Sequence, residues 1–290
     1  VMGKVFNAQL SLEATQTVTP TKTAVCKRAT ILHTEECSQT DTSSYCSGDG
    51  YTASGSMGTT TITYGSLGTK GVLTSGDAFD CDVNGDGVYD STTERFYYVS
   101  DMTNGVTTDS NTAVLIYYNN VSGGVASNST AYAYDESGTN NNGPVTALAQ
   151  LPTTSQWKNV SLTNTTRAIT NESGGNTTSA GNIPTAFSYE GYAARLLTAQ
   201  EVSAGCEFTI GGQTTGKLSK KCKYLMENTK YSSSSLGTSG EWLESPYSSS
   251  SNLACNVSAS DRRVGGSTVY FNSYYGVRPA IEVAKTDIEY

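Results

Sequence analysis

The chain has 290 residues, enough for one large domain or a domain with a smaller module. Only 15% of residues are charged, Gly (29) and Tyr (19) are abundant, and the net charge of −8 with scattered basic residues excludes a nucleic-acid-binding face. No run approaches the roughly 20 apolar residues of a membrane span, and seven cysteines without a Cys-x-x-Cys spacing point to disulfides in a secreted or cell-surface protein.

Residues 1–25 are predicted to be an extended N-terminal arm or the remnant of a secretion signal: Leu10, Leu12 and Ala14 alternate with polar residues, and a Thr-rich run follows. Such an arm either docks on its own domain or adds a strand to a neighbouring copy, which gives self-assembly into a filament or surface layer. Residues 26–67 read as a small cysteine-bearing β module with strands at 27–33 and 59–64, too small for a core without disulfides. Cys26, Cys37, Cys46 and Cys81 supply two bridges in one of three connectivities. His33, the only histidine, is predicted to be a surface residue; with no second His, His-rich metal sites and Ser-His-Asp or Cys-His hydrolases drop out.

The main domain is placed at 68–290. Residues 76–118 read as a hairpin, with Phe96, Tyr98 and Ser100 alternating with Tyr97 and Val99, followed by a buried-strand run at 113–118. Before it lies Asp82-Val83-Asn84-Gly85-Asp86-Gly87-Val88, the opening of a calcium loop. Asp82, Asn84 and Asp86 stand at the first three ligand positions, Gly87 at the sharp turn, the Val88 carbonyl next, and Asp90 at the ninth position. Thr93 occupies the twelfth position and Glu94 falls one residue late, so a calcium site and a metal-free acidic turn both fit. Residues 119–185 are polar loops anchored by Trp157, and the chain carries seven Asn-x-Ser/Thr sequons, Asn120 and Asn256 among them. Thr198 caps a helix running toward Gly205, with Glu201 returning the bond, and Leu218, Cys222, Leu225 and Met226 predict a second helix over 218–228. Cys206 and Cys222 flank a Gly-rich turn and make the natural pair, which leaves Cys255 as a free thiol or an intermolecular partner.

Near the end, Trp242 and Leu243 offer a buried anchor, and Val277, Ile281 and Val283 follow strand spacing. Between them, residues 247–275 hold eight Ser, four Tyr and three Asn, the mixture of rigid aromatic and adaptable polar side chains found in paratopes. The bracket Trp-Leu-Glu-Ser-Pro at 242–246 with Gly-Val-Arg-Pro-Ala at 276–280, preceded by the run at 192–202, resembles the C-type-lectin-like domain of the formylglycine-generating-enzyme type. It is similar to bacterial surface members and to the variable proteins of diversity-generating retroelements, with Val277 where the latter carry Phe. The resemblance implies an α+β fold of antiparallel sheets, two helices and long loops. The classical activities lack their residues: only Cys255 is available where copper-dependent enzymes need a cysteine pair, and no Glu-Pro-Asn or Gln-Pro-Asp sugar motif occurs.

The resulting expectation is a non-enzymatic, adhesin-like protein without catalytic residues, which binds an extracellular protein or glycan. Its contacts come from Tyr247, Asn252, Asn256, Arg262, Arg263, Tyr270, Asn272, Tyr274 and Tyr275, on a frame in which Arg278 fixes a buried carboxylate such as Glu244. A filament subunit assembled through the arm is the rival.

Overall fold

The computed structural model describes residues 3, 23–37, 60–103, 108–127, 130–167, 187–206, 216–217, 220–225, 240–247, 250–258 and 263–290. Apart from Gly3, the predicted arm up to residue 22 lies outside the described residues, as do Cys46, Leu218, Met226 and Arg262. In chain order the strands are β1 (Cys26–Arg28), β2 (Thr34–Cys37), β3 (Thr60–Thr63), β4 (Ala78–Cys81), β5 (Arg95–Thr103), β6 (Thr108–Tyr117), β7 (Val121–Ser122) and β8 (Val125–Ala126). After a short helix, Val145–Leu148, come β9 (Thr166–Arg167), β10 (Phe187–Ser188), the helix Ala199–Cys206, β11 (Gly216–Lys217) and a 3-10 stretch, Lys220–Leu225. The chain closes with β12 (Gly240–Pro246), β13 (Leu253–Ser258), β14 (Arg263–Thr268), β15 (Ala280–Ala284) and β16 (Ile288–Glu289).

Two larger sheets carry the fold. One has six strands in the order β15-β6-β5-β4-β1-β16, antiparallel except for the parallel β1–β16 pair; the other has the order β11-β14-β13-β12. With the helices packed beside them this is an α+β architecture.

The six-stranded sheet is covered on both faces. Phe96 and Tyr98 of β5 and Leu115 and Tyr117 of β6 enter one apolar cluster with Phe79, Trp157, Trp242 and Ile281. Their alternates Tyr97, Val99, Val114 and Ile116 enter a second with Leu197, Val202, Leu225, Leu243 and Val257. The two-residue period makes this partition possible, and each such side chain contributes about 1.5–3 kcal/mol on burial.

The segment 276–280 joins the sheets. Gly276 N–H donates to Gly240 O at 2.8 Å and the Gly276 carbonyl accepts from Trp242 N–H at 3.1 Å, while Val121 N–H reaches Val277 O at 2.7 Å and Tyr117 N–H reaches Pro279 O at 2.8 Å. Ala280 exchanges both backbone bonds with Arg195, at 2.7 and 3.0 Å.

Several expectations are modified. β1 pairs with β4 and β16 and is therefore a strand of the main sheet, joined to it further by the Cys26–Cys81 disulfide. Of the strand expected at 27–33 only Lys27 and Arg28 are strand, as part of β1; the chain bends at Thr30 and Ile31, and β2 begins at Thr34 and pairs with β3 as a ribbon. Cys206–Cys222 forms as expected. Of the second helix expected over 218–228, the described part, Lys220–Leu225, is a 3-10 stretch with a non-helical break at Cys222 (φ −97°, ψ 23°), the residue that the disulfide ties to the helix Ala199–Cys206. Cys255 is buried in β13 with Sγ 3.7 Å from the Pro246 carbonyl, which rules out an intermolecular bridge from this fold. Asn120 and Asn256 are 0% and 1% exposed, so neither sequon has room for a glycan. Arg278 does not meet Glu244. It donates to the carbonyls of Tyr117, Leu225 and Tyr224 at 2.6–2.7 Å and faces Glu241 at 3.7 Å, while Glu244 pairs with Arg167 at 2.8 Å. Among the described residues no helix is long and apolar enough to cross a membrane, and the two disulfides are the chemistry of an oxidising compartment.

Candidate ligand-binding surface

The Tyr/Ser/Asn-rich segment contains the strands β13 and β14. β12, β13 and β14 form an antiparallel meander in which Trp242 pairs with Asn256, and Asn256 with Gly265. Two predicted contact residues are buried here. Asn256 is 1% exposed, and Tyr247 is 9% exposed with its ring laid over Gly266, where an added Cβ would sit 2.6 Å from Tyr247 Cδ2. Gly266 is therefore fixed by close approach. Neither Tyr247 nor Asn256 is available to a ligand. Arg263 and Tyr275 are half-buried, while Asn252, Tyr270, Asn272 and Tyr274 are exposed as expected.

The exposed residues converge. Thr268 pairs with Leu253, and Val269 N–H donates to Asn252 O at 3.0 Å, which sets the 250–252 turn beside the turn at 270–274. In the latter, Tyr270, Phe271 and Tyr274 are 52%, 39% and 49% exposed and are the only exposed aromatics among the described residues. Their rings touch in series, Tyr270 to Phe271 at 5.2 Å and Phe271 to Tyr274 at 5.7 Å, and Tyr274 continues to Tyr275 at 6.4 Å.

The surface rests on a fixed base. Tyr275 packs on Trp242 at 4.8 Å, and Trp242 packs on Tyr134 at 5.7 Å and donates from Nε1 to Tyr132 O at 2.7 Å. Tyr134 N–H and Asp135 N–H both donate to Val269 O, at 2.8 and 3.1 Å. Asn140 Nδ2 donates to the carbonyls of Tyr247, Ser250 and Leu253 at 3.2, 2.9 and 2.7 Å, holding the other turn. Sequence reasoning missed both Phe271 and Asn140. Phe271 stands inside the aromatic run and was legible there; Asn140 lies more than 100 residues from the turn it holds, and nothing local signals it.

The acidic loop forms a compact turn held by its own side chains. Asp82 Oδ1 accepts from Gly85 and Asp86 N–H at 2.9 and 3.0 Å, its Oδ2 from Gly87 N–H at 3.1 Å, Asn84 Oδ1 from Asp86 N–H at 2.8 Å and Asp86 Oδ1 from Val88 N–H at 2.8 Å. Asp90 turns away to Thr92 and Thr93, whose hydrogen bonds pull its pKa down to about 2. Glu94 is buried, and burial, with Asp82 and Asp86 nearby, pushes its pKa up. Among the described residues no three His, Cys, Asp or Glu side chains lie close enough to cage an ion by themselves.

A cleft of about 410 Å³ between β5 and the helix Ala199–Cys206 holds the Tyr98–Asp101 pair at 2.7 Å. Compared with models of known protein families, with curated proteins and with solved structures, the chain matches none.

Proposed function

We propose that the protein is an extracellular, adhesin-like binding protein on a scaffold like that of C-type-lectin-like domains. It presents Asn252, Tyr270, Phe271, Asn272 and Tyr274 to a glycan or protein on a cell surface. The observation that carries this reading is the gathering of all exposed aromatics among the described residues into one turn above a buried Trp242. Exposed aromatic rings on a rigid base give contact area at little entropic cost, and contiguous exposed apolar area on a folded chain marks an interaction site. The substitution-tolerant part of the segment is its outward face; the inward face belongs to the frame.

The test is retention of the protein on a glycan array, on mucin and on whole cells, compared with the triple variant Tyr270→Ser/Phe271→Ser/Tyr274→Ser. The variant is expected to lose at least about tenfold in binding, as hot-spot aromatics do, with a melting temperature near that of the wild type because the side chains are exposed. Equal retention of both proteins on all three probes contradicts the reading.

A further inference from the structure

The loop between β4 and β5 has one feature that turn chemistry does not explain. Glu94 is 4% exposed, and its Oε2 accepts the Asp90 N–H at 3.2 Å. Oε1 is buried without a hydrogen-bond partner. An orphaned buried carboxylate oxygen is costly, and native folds keep few of them. This carboxylate is turned back over the loop, close enough to Asp82, Asp86 and the Asn84 N–H to interact with all three. Like charges gathered around an unpartnered buried oxygen are the arrangement that a bound cation relieves.

We propose that residues 82–94 bind a calcium ion through the side-chain oxygens of Asp82, Asn84 and Asp86, the Val88 carbonyl and Glu94 Oε1. The oxygen-only donor set suits a hard cation of calcium's size and flexible coordination, and magnesium's tighter octahedron less well. Asp90 is left out of this set; its carboxylate serves the Thr92 N–H and the Thr92 and Thr93 hydroxyls at 2.6–2.9 Å. The carboxylates stand too far apart to form a cage on their own. Closing them over the ion uses part of the binding energy, which places the site with the weak extracellular class, about 10⁻⁴–10⁻³ M.

The place of the loop gives the ion a consequence. Asp82 N–H donates to Val25 O at 2.9 Å, the Tyr89 hydroxyl donates to Ala24 O, and Cys81 is bonded to Cys26. A bound ion therefore stiffens the point where the N-terminal part of the chain joins the six-stranded sheet.

The test uses the full chain in calcium-free buffer, followed by thermal unfolding and by terbium luminescence sensitised through Tyr89. Calcium is expected to raise the melting temperature by a few degrees with half-saturation at about 10⁻⁴–10⁻³ M, magnesium to do much less, and calcium to displace terbium. Glu94→Gln keeps the buried shape and Asp86→Asn changes an exposed residue; each is expected to weaken half-saturation at least about tenfold while circular dichroism stays that of the wild type. Absence of a calcium shift at about 10 mM, an equal response to magnesium, or calcium binding undiminished in both variants overturns the assignment.

Discussion

Replacing Arg195 with leucine will destabilise the chain by about 3–5 kcal/mol, the usual loss when one partner of a buried ionic cluster is removed. Arg195 is fully buried, and its guanidinium is bidentate to Glu201 at 2.8 and 2.6 Å, with Nε on Glu282 at 2.7 Å. Glu201 is also the capping residue of the helix Ala199–Cys206, accepting from Thr198 N–H at 3.0 Å while its own N–H reaches Thr198 Oγ1 at 3.1 Å. Glu282 lies on β15 and accepts from Thr163 N–H at 2.7 Å. One side chain thus ties a helix start, a sheet edge and the 163 loop. Burial alone would lower the Arg195 pKa; the charges of Glu201 and Glu282 reverse this and hold it well above the ordinary value. Burial likewise pushes Glu282 up, but Arg195 outweighs it and leaves the carboxylate below its usual range. Without Arg195 two carboxylates share a dry site. Thermal unfolding should show a fall of roughly 10 °C, at the 2–4 °C per kcal/mol typical of larger domains. A fall corresponding to less than about 1 kcal/mol would mean that water reaches the cluster.

Glu241→Gln will have the opposite sign, and its effect will grow with pH. Glu241 is buried in β12 with neither carboxylate oxygen hydrogen-bonded, and burial pushes its pKa up to about 8 although Arg278 at 3.7 Å pulls the other way. In the unfolded chain the same carboxyl titrates near 4.5. The folded state therefore holds the extra proton between pH about 4.5 and about 8, and its stability falls as pH rises through that window, by up to about 1.4 kcal/mol per unit. Glutamine carries no titratable proton and removes this slope. The variant should match the wild type near pH 4.5 and exceed it by several kcal/mol, on the order of 3, at pH 8. Urea unfolding of both proteins across that range measures the difference; parallel pH profiles would show that Glu241 is neutralised by Arg278 in the fold.

The parts of the fold legible in the sequence are those written locally. Thr198 and Glu201 form the capping box three residues apart, the alternation of Phe96 to Val99 divides them between two cores, and Cys206 finds Cys222 across 16 residues. What was not legible depends on partners far away. Composition marked 247–275 as Tyr-, Ser- and Asn-rich but did not carry its register: Asn256 is paired between Trp242 and Gly265 and buried, and the Tyr247 ring is laid over Gly266. Arg278 was expected to need a carboxylate; three carbonyls from β6 and the 220–225 stretch satisfy it instead, and Glu244 is taken by Arg167. The β1–β16 pairing, which places Cys26 in the main sheet, links residues more than 260 apart and leaves no trace in local spacing.

The most direct test of the central claim, a fixed frame with an exchangeable outward face, is deep sequencing of this gene from many cells of its source population. The expected result is substitution concentrated at Asn252, Tyr270, Phe271, Asn272 and Tyr274, with Trp242, Tyr247, Asn256, Gly266 and Gly276 unchanged. Substitution spread equally over both groups, or confined to the buried one, would contradict it.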